Sequence, residues 1–218
     1  MGTDIYIIRE AFVDGKWVCC EKTHKEYMDD SIYKFKSSIR DDSSADADFG
    51  RNSQLFDLLN GRSCYTLLDY PNGLPDGISE MTKMRIEDED RLNSEFLKRN
   101  NLPETNKNQY FNCTFKEMED FMEKWRNDMI ETGCLPYEFI DEYGLEKYNR
   151  LENGIYKYHR GSIKRNKTNR FMKTMLSIFD DPEFNVMKYF LDFLNNETSK
   201  IDLKSIKSEN KRIIFWFS

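Results

Sequence analysis

The sequence lacks any apolar run close to the roughly 18 residues that a membrane-spanning helix requires. It also lacks the apolar stretch of a secretory signal peptide, because Asp4, Arg9 and Glu10 interrupt its first residues. A mean hydropathy of -0.79 agrees with both absences. We therefore expect a cytoplasmic protein that has no membrane partner.

Cysteine is scarce and shows no paired spacing. The five cysteines are an odd number and form no C-x-x-C pair: Cys19, Cys20, Cys64, Cys113 and Cys134. This pattern argues against a disulfide framework and gives no support for a zinc site. We expect free buried thiols and no metal site.

The chain also lacks the common catalytic and nucleotide-binding motifs. It contains no G-x-G-x-x-G, no G-x-x-x-x-G-K-[ST], no G-x-S-x-G and no H-E-x-x-H. Only His24 and His159 are available as imidazole bases, and neither stands in a recognisable context. We assign no catalytic residue and favour a protein without enzymatic activity, although 39 acidic residues leave carboxylate chemistry open.

Aromatic and charged residues, in contrast, are plentiful. They make up 14% and 33% of the 218 residues, so the chain has enough aromatic area to build a core. We expect one domain, 1–218, with a flexible polar insertion at about 29–50. The predicted class is α+β: a small, mostly antiparallel sheet that contains both chain termini and is packed by several helices.

Two regions predict the sheet. Residues 3–12 are rich in Ile, Tyr, Phe and Val, and an Asp-Gly pair at 14–15 leads into "KWVCC", which is the pattern of a β-hairpin. Alternate residues of the first strand give one apolar face and one mixed face, which holds Asp4 and Tyr6. The apolar run "IIFWF" at 213–217 is too short for a helix, and it predicts an interior strand beside the first one.

Apolar periodicity predicts the helices. The clearest helix is 114–132, which opens with a capping box of Thr114 and Glu117 and carries an apolar stripe that is typical of core packing. The other helices are predicted at 53–60, 87–100, 137–143, 168–179 and 182–195. The helix at 87–100 depends on one apolar pair, Leu92 and Phe96.

Charge is unevenly distributed along the chain. The net charge is -6, yet the segment 157–173 contains seven basic residues and no acidic one. Basic residues next to aromatic ones suit phosphates and stacked bases, so this segment is a candidate anion or nucleic-acid contact through Arg160, Lys164, Arg165, Lys167 and Arg170. A solvated surface loop is the simpler explanation of the same charges, and docking onto an acidic partner protein is another.

Several short motifs follow one another in a fixed order: "MGTDI" at 1–5, "GKW" at 15–17, "RNSQLFDLL" at 51–59, "GLP" at 73–75, "CTFKEM" at 113–118 and "IIFWF" at 213–217. Together they resemble an uncharacterised family of tailed-phage proteins. Members of that family open Met-Gly-Cys-Asp-Ile-His and continue with Lys-Trp, Arg-Asn-x-x-Leu-Phe, Gly-Leu-Pro, a His-Ser-x-Ser-Trp helix opening and a C-terminal aromatic strand. Thr3 and Tyr6 stand where the family has Cys and His, so a divergent member is implied, and no cofactor follows from what remains.

The first candidate ligand site combines the opening strand with three later segments: Asp4, Tyr6, Arg51, Asn52, Arg62 and Asn72. A carboxylate, a phenol and two guanidinium groups around a glycine-containing loop can bind a small polar or phosphate-containing ligand. The simpler explanation is structural: Arg51 and Asn52 cap a helix, and Asp4 pairs with an arginine.

From the resemblance and the missing motifs we expect a non-enzymatic viral accessory protein. It would act in the host cell cytoplasm by binding a host factor or a small nucleotide-like ligand. One alternative is an enzyme acting on a phosphate-containing substrate, in which Tyr6 transfers a proton. Another is a virion or nucleic-acid-associated structural protein that uses the basic segment 157–173.

Overall fold

The computed structural model describes residues 4–31, 38–47, 49, 53–59, 67–68, 70–103, 108–132, 134–136, 157–159, 162–164 and 186–217. Its strands are β1 (Ile5–Val13), β2 (Lys16–Cys19), β3 (Tyr110–Thr114), β4 (Cys134–Pro136), β5 (Lys157–His159), β6 (Ser162–Lys164) and β7 (Lys211–Phe217). Its helices are α1 (His24–Asp30), α2 (Ser53–Leu59), α3 (Glu80–Arg99), α4 (Phe115–Thr132) and α5 (Val186–Asn196). Two short 3-10 helices, Leu203–Ser205 and Ser208–Asn210, precede β7.

The chain divides into two compact units. The first unit draws its described residues from 1–51, 71–116 and 194–218, and the second from 52–70 and 117–193. The single domain expected from the sequence stays a prediction. None of the helices that the structure describes has the length and apolar character needed to cross a membrane.

A four-stranded antiparallel sheet organises the first unit. Its strand order is β2-β1-β7-β3, so the first and last strands of the chain are its two central strands. They pair from Ile5 opposite Phe217 to Ala11 opposite Lys211. The predicted α+β class is therefore confirmed, and so is the interior position of the C-terminal strand beside β1.

The hairpin that joins β1 to β2 forms at the predicted Asp-Gly pair. Asp14 and Gly15 have φ values of 51° and 80°. Two consecutive positive φ values are typical of a type I′ turn, whose twist matches that of the flanking strands. The turn sets Val13 opposite Lys16 and Glu10 opposite Cys19.

Both faces of β1 are buried, including the face that the sequence shows as mixed. On that mixed face Ile8 packs with Ile214 and Trp216 of β7 and with Ile86 of α3, which lies across it. Glu10 on the same face is buried, and its carboxylate accepts from Arg212 at 2.7 Å and from the Ser79 backbone N–H at 2.9 Å. The charged residues of this face thus tie β1 to β7 and to the start of α3.

Helix α3 is longer than the helix predicted at 87–100. It begins after Ser79, whose side chain caps it by accepting from the Thr82 backbone N–H. The predicted apolar pair does not form its buried face, since Phe96 is 57% exposed and Leu92 is half-buried. The buried residues are Thr82, Arg85, Ile86, Asp88 and Leu97, and three of these are polar or charged. The buried face predicted from the apolar residues was wrong here, because residues that form ion pairs occupy much of the buried face.

The described parts of the remaining helices agree with the sequence patterns. Helix α2 has four buried apolar residues, Leu55, Phe56, Leu58 and Leu59. Helix α4 begins at Phe115 directly after β3, so Thr114 ends a strand that the sequence did not predict. Helix α5 covers the described part of the helix predicted at 182–195 and ends one residue later. The helices predicted at 137–143 and 168–179 lie outside the described residues.

The second unit contains a small three-stranded antiparallel sheet of order β4-β6-β5. In it Lys157 lies opposite Lys164 and Tyr158 opposite Ile163. Residues 157–159 and 162–164 of the basic segment are paired strands, so the loop conformation expected for them was wrong, while their position at the surface stays a prediction.

Candidate functional site

The structure brings two of the first site's predicted residues together. Asp4 and Tyr6, at the start of β1, line the same cleft. Asn72 lies two strands away at the outer edge of β3, where its side-chain amide pairs with the Asn112 backbone at 2.8 Å in both directions. That pairing is structural, because it satisfies the polar groups of an edge strand. Arg51, Asn52 and Arg62 lie outside the described residues.

The cleft that contains Asp4 and Tyr6, which we call the β1–α3 cleft, has a volume of about 550 Å³. This volume lies within the range of small-molecule sites, roughly 300 to 1,000 Å³. Five described segments of the first unit form it: the start of β1, helix α1, the chain at Ile39, the chain at 45–47, and α3. The polar and aromatic groups on its walls are Asp4, Tyr6, His24, Tyr27, Asp46, Arg85 and Glu89.

The 43–47 segment forms one wall of the cleft, and backbone hydrogen bonds hold it in place. The Ala47 N–H donates to the Ile7 carbonyl at 2.8 Å, and the Ala45 N–H donates to the Lys22 carbonyl at 2.9 Å. Ser44 bridges to Thr23 and donates its N–H to the Met81 carbonyl. Although this segment belongs to the insertion expected to be flexible, it is packed between β1, α1 and α3, and it holds Asp46 in the cleft.

Arg85 is the central charged group of the cleft. Its side chain is 2% exposed, and its guanidinium donates to Asp46 at 2.8 Å and to Glu89 at 2.5 Å. The same guanidinium lies 5.4 Å from the ring centroid of Trp216, within the range of a cation–π contact. Burial by itself would lower the pKa of Arg85, but the two carboxylates raise it above its usual value. Arg85 is therefore a fixed positive charge between two acids.

Three buried polar atoms of residues that line this cleft have no hydrogen-bond partner among the described residues: His24 Nε2, Asp46 Oδ1 and Arg85 Nε. A buried donor or acceptor without a partner costs roughly 1 to 3 kcal/mol. Three such atoms on the walls of one cleft are therefore expensive unless water or a ligand contacts them. Their convergence makes the β1–α3 cleft a candidate binding site.

Burial perturbs two titratable groups of the cleft. It raises the pKa of Asp46 to about 6, against the opposing effect of Arg85. Burial and the nearby Arg85 charge lower the pKa of His24 below its ordinary value. Around neutral pH, Asp46 is therefore mostly ionised and His24 is neutral.

Aromatic side chains form the rest of the cleft wall. The Tyr6 ring stacks on Trp216 with centroids 5.3 Å apart and an interplanar angle of 9°. Trp216 in turn meets Tyr110 edge to face at 5.7 Å. The orientation of the Tyr6 ring is thereby fixed near the start of β1, because the aromatic rings behind it are packed. Tyr27 adds a second, more exposed ring.

A neighbouring cleft of about 520 Å³ lies on the other side of the 45–47 segment. Asp46 lines this cleft as well as the β1–α3 cleft, and three more of its charged groups form ion pairs within the protein. The Glu21 carboxylate forms an ion pair with Nε of the fully buried Arg9 at 2.7 Å, and Lys22 Nζ forms one with the Asp30 carboxylate at 2.6 Å. Arg9 also donates to the Leu194 carbonyl at the end of α5. These pairs have structural roles, so the β1–α3 cleft is the better candidate.

The second candidate site, in the basic segment, lies mostly outside the described residues. Of its predicted members the structure places only the backbone of Lys164, which ends β6. Arg160, Arg165, Lys167 and Arg170 are not described, so a nucleic-acid contact there stays a prediction.

Sequence patterns missed the residues that now define the site. Asp46 stands in a segment that was expected to be loop, His24 and Arg85 were left without an element, and Glu89 lies in the helix predicted at 87–100 but was not singled out. One signal for helix α1 was present, because Thr23 and Glu26 form a capping box that the structure contains. No cluster of metal-ligating side chains occurs in the described part of the chain.

Three of the five cysteines have described side chains: Cys19, Cys20 and Cys113 are buried and form no disulfide, as predicted. Neither the thiols nor the acids of the described chain therefore point to a bound metal. Comparison with protein-family models, with curated proteins and with solved structures found no match for this chain.

Proposed function

We propose that this protein is a non-enzymatic accessory protein of a phage-like virus, and that it binds a small nucleotide-like ligand in the β1–α3 cleft. The observation that carries the proposal is the convergence of three unpartnered buried atoms, on His24, Asp46 and Arg85, in one cleft. The viral origin and a place in the host cytoplasm rest on the resemblance of short motifs to a phage family.

A small ligand suits this cleft better than a host protein does. The Arg85 side chain, which carries one of the unpartnered atoms, is 2% exposed, so a broad protein surface could not contact it. A stable protein interface instead covers roughly 800 Å² of each partner and is mostly broad and shallow. The recessed polar groups therefore favour a small molecule over a host factor.

The first experiment is to purify the protein natively from cells, denature it, and identify released small molecules by mass spectrometry. In parallel, a panel of nucleobases, nucleosides and nucleotides is screened by thermal unfolding. A ligand at a hundredfold excess over its dissociation constant stabilises the folded state by about 3 kcal/mol. We expect at least one compound of the panel to produce a stabilisation of this size.

Two matched variants locate the binding. Asp46→Asn keeps the side-chain shape but changes an unpartnered acceptor in the cleft, so it should remove most of the stabilisation. Asp42→Asn alters an exposed acid four residues earlier and should leave the stabilisation unchanged. If both variants respond to the ligand as the parent protein does, the ligand binds elsewhere. If no compound of the panel binds, the proposal is wrong.

An enzyme acting on a phosphate-containing substrate is the second candidate. The observation in its favour is the Asp46 carboxyl, because a pKa of about 6 suits a group that gives and takes protons near neutral pH. Such an enzyme would turn over a substrate in a screen with and without divalent metal ions, and Asp46→Asn would abolish turnover. A flat result across that screen would count against this candidate.

A further inference from the structure

The two edges of the four-stranded sheet differ in how their backbone groups are paired. At the β3 edge a neighbouring segment supplies partners: Asn72 pairs with the Asn112 backbone, and the Gly73 N–H donates to the Tyr110 carbonyl at 3.0 Å. Strand β2 forms the opposite edge, and no described segment pairs with its outer side. An unpaired strand edge is a template on which a further strand can form.

The backbone groups of β2 point alternately toward β1 and away from it. The Cys20 N–H donates to the Arg9 carbonyl at 2.9 Å, so residue 20 faces β1. By alternation the N–H and C=O groups of Trp17 and Cys19 face away from β1. Trp17 is half-buried and Cys19 is buried, so the accessible part of this edge is centred on Trp17.

A groove of about 690 Å³ lies along the outer side of β2, and we call it the β2 groove. One of its walls is the segment 76–81, which leads into α3. Ile78 and Met81 of this segment pack against the core cluster that contains Cys19. Trp17 is on the same face of the sheet as Cys19, because side chains two residues apart on a strand share a face. This wall therefore covers the open edge on the face that packs against α3.

The other wall of the β2 groove is on the opposite face of the sheet. It contains Lys200, whose N–H donates to the Cys20 carbonyl at 2.8 Å. The next residue, Ile201, packs against the cluster of Ala11 and Cys20 on that face. By alternation Lys16 is on the same face as Cys20. Because a wall stands on each face of the sheet, the groove fits a single extended strand.

The two walls carry charges of opposite sign. Asp76 and Glu80 belong to the wall beside α3, and Lys16 and Lys200 belong to the other face. Asp76, Glu80 and Lys16 are exposed, and none of them forms an ion pair with a described residue. Lys200 pairs with Glu26 at 2.8 Å, but the pair is partly exposed and therefore weak. A strand with basic side chains toward α3 and acidic ones toward Lys16 would complement both walls.

We propose that the β2 groove binds an extended segment of a partner protein, which pairs antiparallel with β2 and alternates basic and acidic residues. Every strand pair of this sheet is antiparallel. The apolar stems of the basic side chains contact Trp17, and their charges reach Asp76 and Glu80. The acidic side chains lie on the other face, near Lys16. At about 3.4 Å per residue, the four residues of β2 pair with about four residues of the partner. This groove shares no lining residue with the β1–α3 cleft, so the inference does not rest on the proposed function.

The test titrates the whole purified chain with hexapeptides by isothermal titration calorimetry, at about 10 mM salt, where charges interact over about 30 Å. The first peptide alternates Arg and Glu. The second has the same composition in two blocks, three Arg followed by three Glu. Both have blocked ends and no net charge. We expect the alternating peptide to bind with a dissociation constant below about 1 mM, and the block peptide to bind at least tenfold more weakly, because alternate side chains of a strand reach opposite walls.

Two N-methylated forms of the alternating peptide test the backbone pairing. Residues directly opposite each other in an antiparallel pair share a face, and those that exchange hydrogen bonds do so in both directions. The Arg residues, which share the face of Trp17, therefore direct their N–H groups to β2, and the Glu residues direct theirs to solvent. Methylation of the Arg N–H groups should weaken binding at least tenfold, because each lost bond leaves a backbone group unpaired. Methylation of the Glu N–H groups should change the affinity less than threefold.

Charge variants of the protein locate the binding. Asp76→Lys combined with Glu80→Lys should weaken the alternating peptide at least tenfold, and Lys16→Glu should weaken it at least threefold. These side chains are exposed, so the variants keep the fold. The control is Lys98→Glu, which alters an exposed lysine of α3 about 27 Å along the helix from Glu80. It should bind the peptide as the parent protein does.

Four results would overturn the proposal. If no peptide binds, or if the alternating and block peptides bind alike, the match to the two walls is wrong. If both methylated peptides bind as well as the unmodified one, the peptide does not pair with β2. If the double lysine variant binds as the parent protein does, the peptide lies elsewhere. If the chain alone forms a dimer in which the Trp17 amide becomes protected from hydrogen exchange, a second copy occupies the edge and the partner is wrong.

Discussion

Asp46→Asn should change how the stability of the protein depends on pH. Burial raises the pKa of Asp46 from an ordinary value of 3.8 to about 6 in the folded state. An acid whose folded pKa lies above its unfolded pKa binds protons more tightly when folded. It therefore contributes stability that is present below the unfolded pKa and is lost as pH rises toward and through the folded pKa. A shift of about two pKa units corresponds to about 3 kcal/mol in total.

The measurement is the free energy of unfolding in urea at pH 4.5 and pH 7.5, for the parent protein and for Asp46→Asn. Part of the effect is already lost at the lower pH, so about 2 kcal/mol should remain between the two conditions. The parent should lose this amount relative to the variant as pH rises. The comparison cancels the titration of all other carboxylates that behave alike in both proteins. Asp42→Asn, which alters an exposed acid of the same segment, should follow the parent.

An equal pH dependence in the parent and in Asp46→Asn would refute the reasoning, because Asp46 would then titrate alike in the folded and unfolded chains. A dependence of the opposite sign would mean that Arg85 stabilises the ionised carboxylate more than burial disfavours it. In either case burial would not raise the pKa of Asp46 in the folded protein. The argument that the candidate site contains a carboxyl with a raised pKa would then fail.

Three further predictions concern the rest of the first unit. Glu21→Gln should lower the free energy of unfolding by about 3 to 5 kcal/mol, because it leaves the fully buried Arg9 guanidinium without its charged partner. Asp30→Asn, which breaks an exposed pair, should lower it by under about 1 kcal/mol. Unfolding in urea measures both changes. Gly15→Ala should cost about 1 kcal/mol in the same assay, because the φ of 80° is unfavourable for alanine, and an unchanged midpoint would contradict the type I′ turn. Cys19 should react slowly with iodoacetamide at pH 8 until urea is added, because burial raises the pKa of its thiol to about 12, and fast labelling of the folded protein would show that β2 is open to solvent.

The sheet could be predicted where the pattern was strongly apolar. The residues of β7, which include the run "IIFWF", are buried at every position but the last, and such a run fits only a strand that is covered on both faces. The hairpin could be predicted because an Asp-Gly pair has a conformational preference of its own. Strand β3 was missed because its five residues, "YFNCT", include Asn112 and Thr114 and fit no clean alternation.

The candidate site could not be predicted, because its chemistry depends on long-range packing. Asp46 is polar and stands in a polar segment, so the sequence predicts that it is exposed. Backbone hydrogen bonds to Ile7 of β1 and to Lys22, between β2 and α1, nevertheless hold that segment against the sheet. Arg85 is buried only because Asp46 and Glu89 lie beside it, and one of these is 39 residues away in the sequence. Burial of a charge is decided by its partners, and sequence periodicity does not show them. Asp4 and Tyr6 were found because they lie on a strand whose pattern was clear.

The pairing of β1 with β7 has a consequence for the newly made chain. About 200 residues separate Ile5 from Phe217, its neighbour in the sheet. While the ribosome is still making the middle of the chain, Ile7 and Ile8 have no β7 to pair with, and the short hairpin with β2 is at most marginally stable alone. Contacts this distant in sequence form late and slowly. Trp216, the ring behind Tyr6, belongs to β7, so this wall of the cleft is assembled only after residues 211–217 have been made.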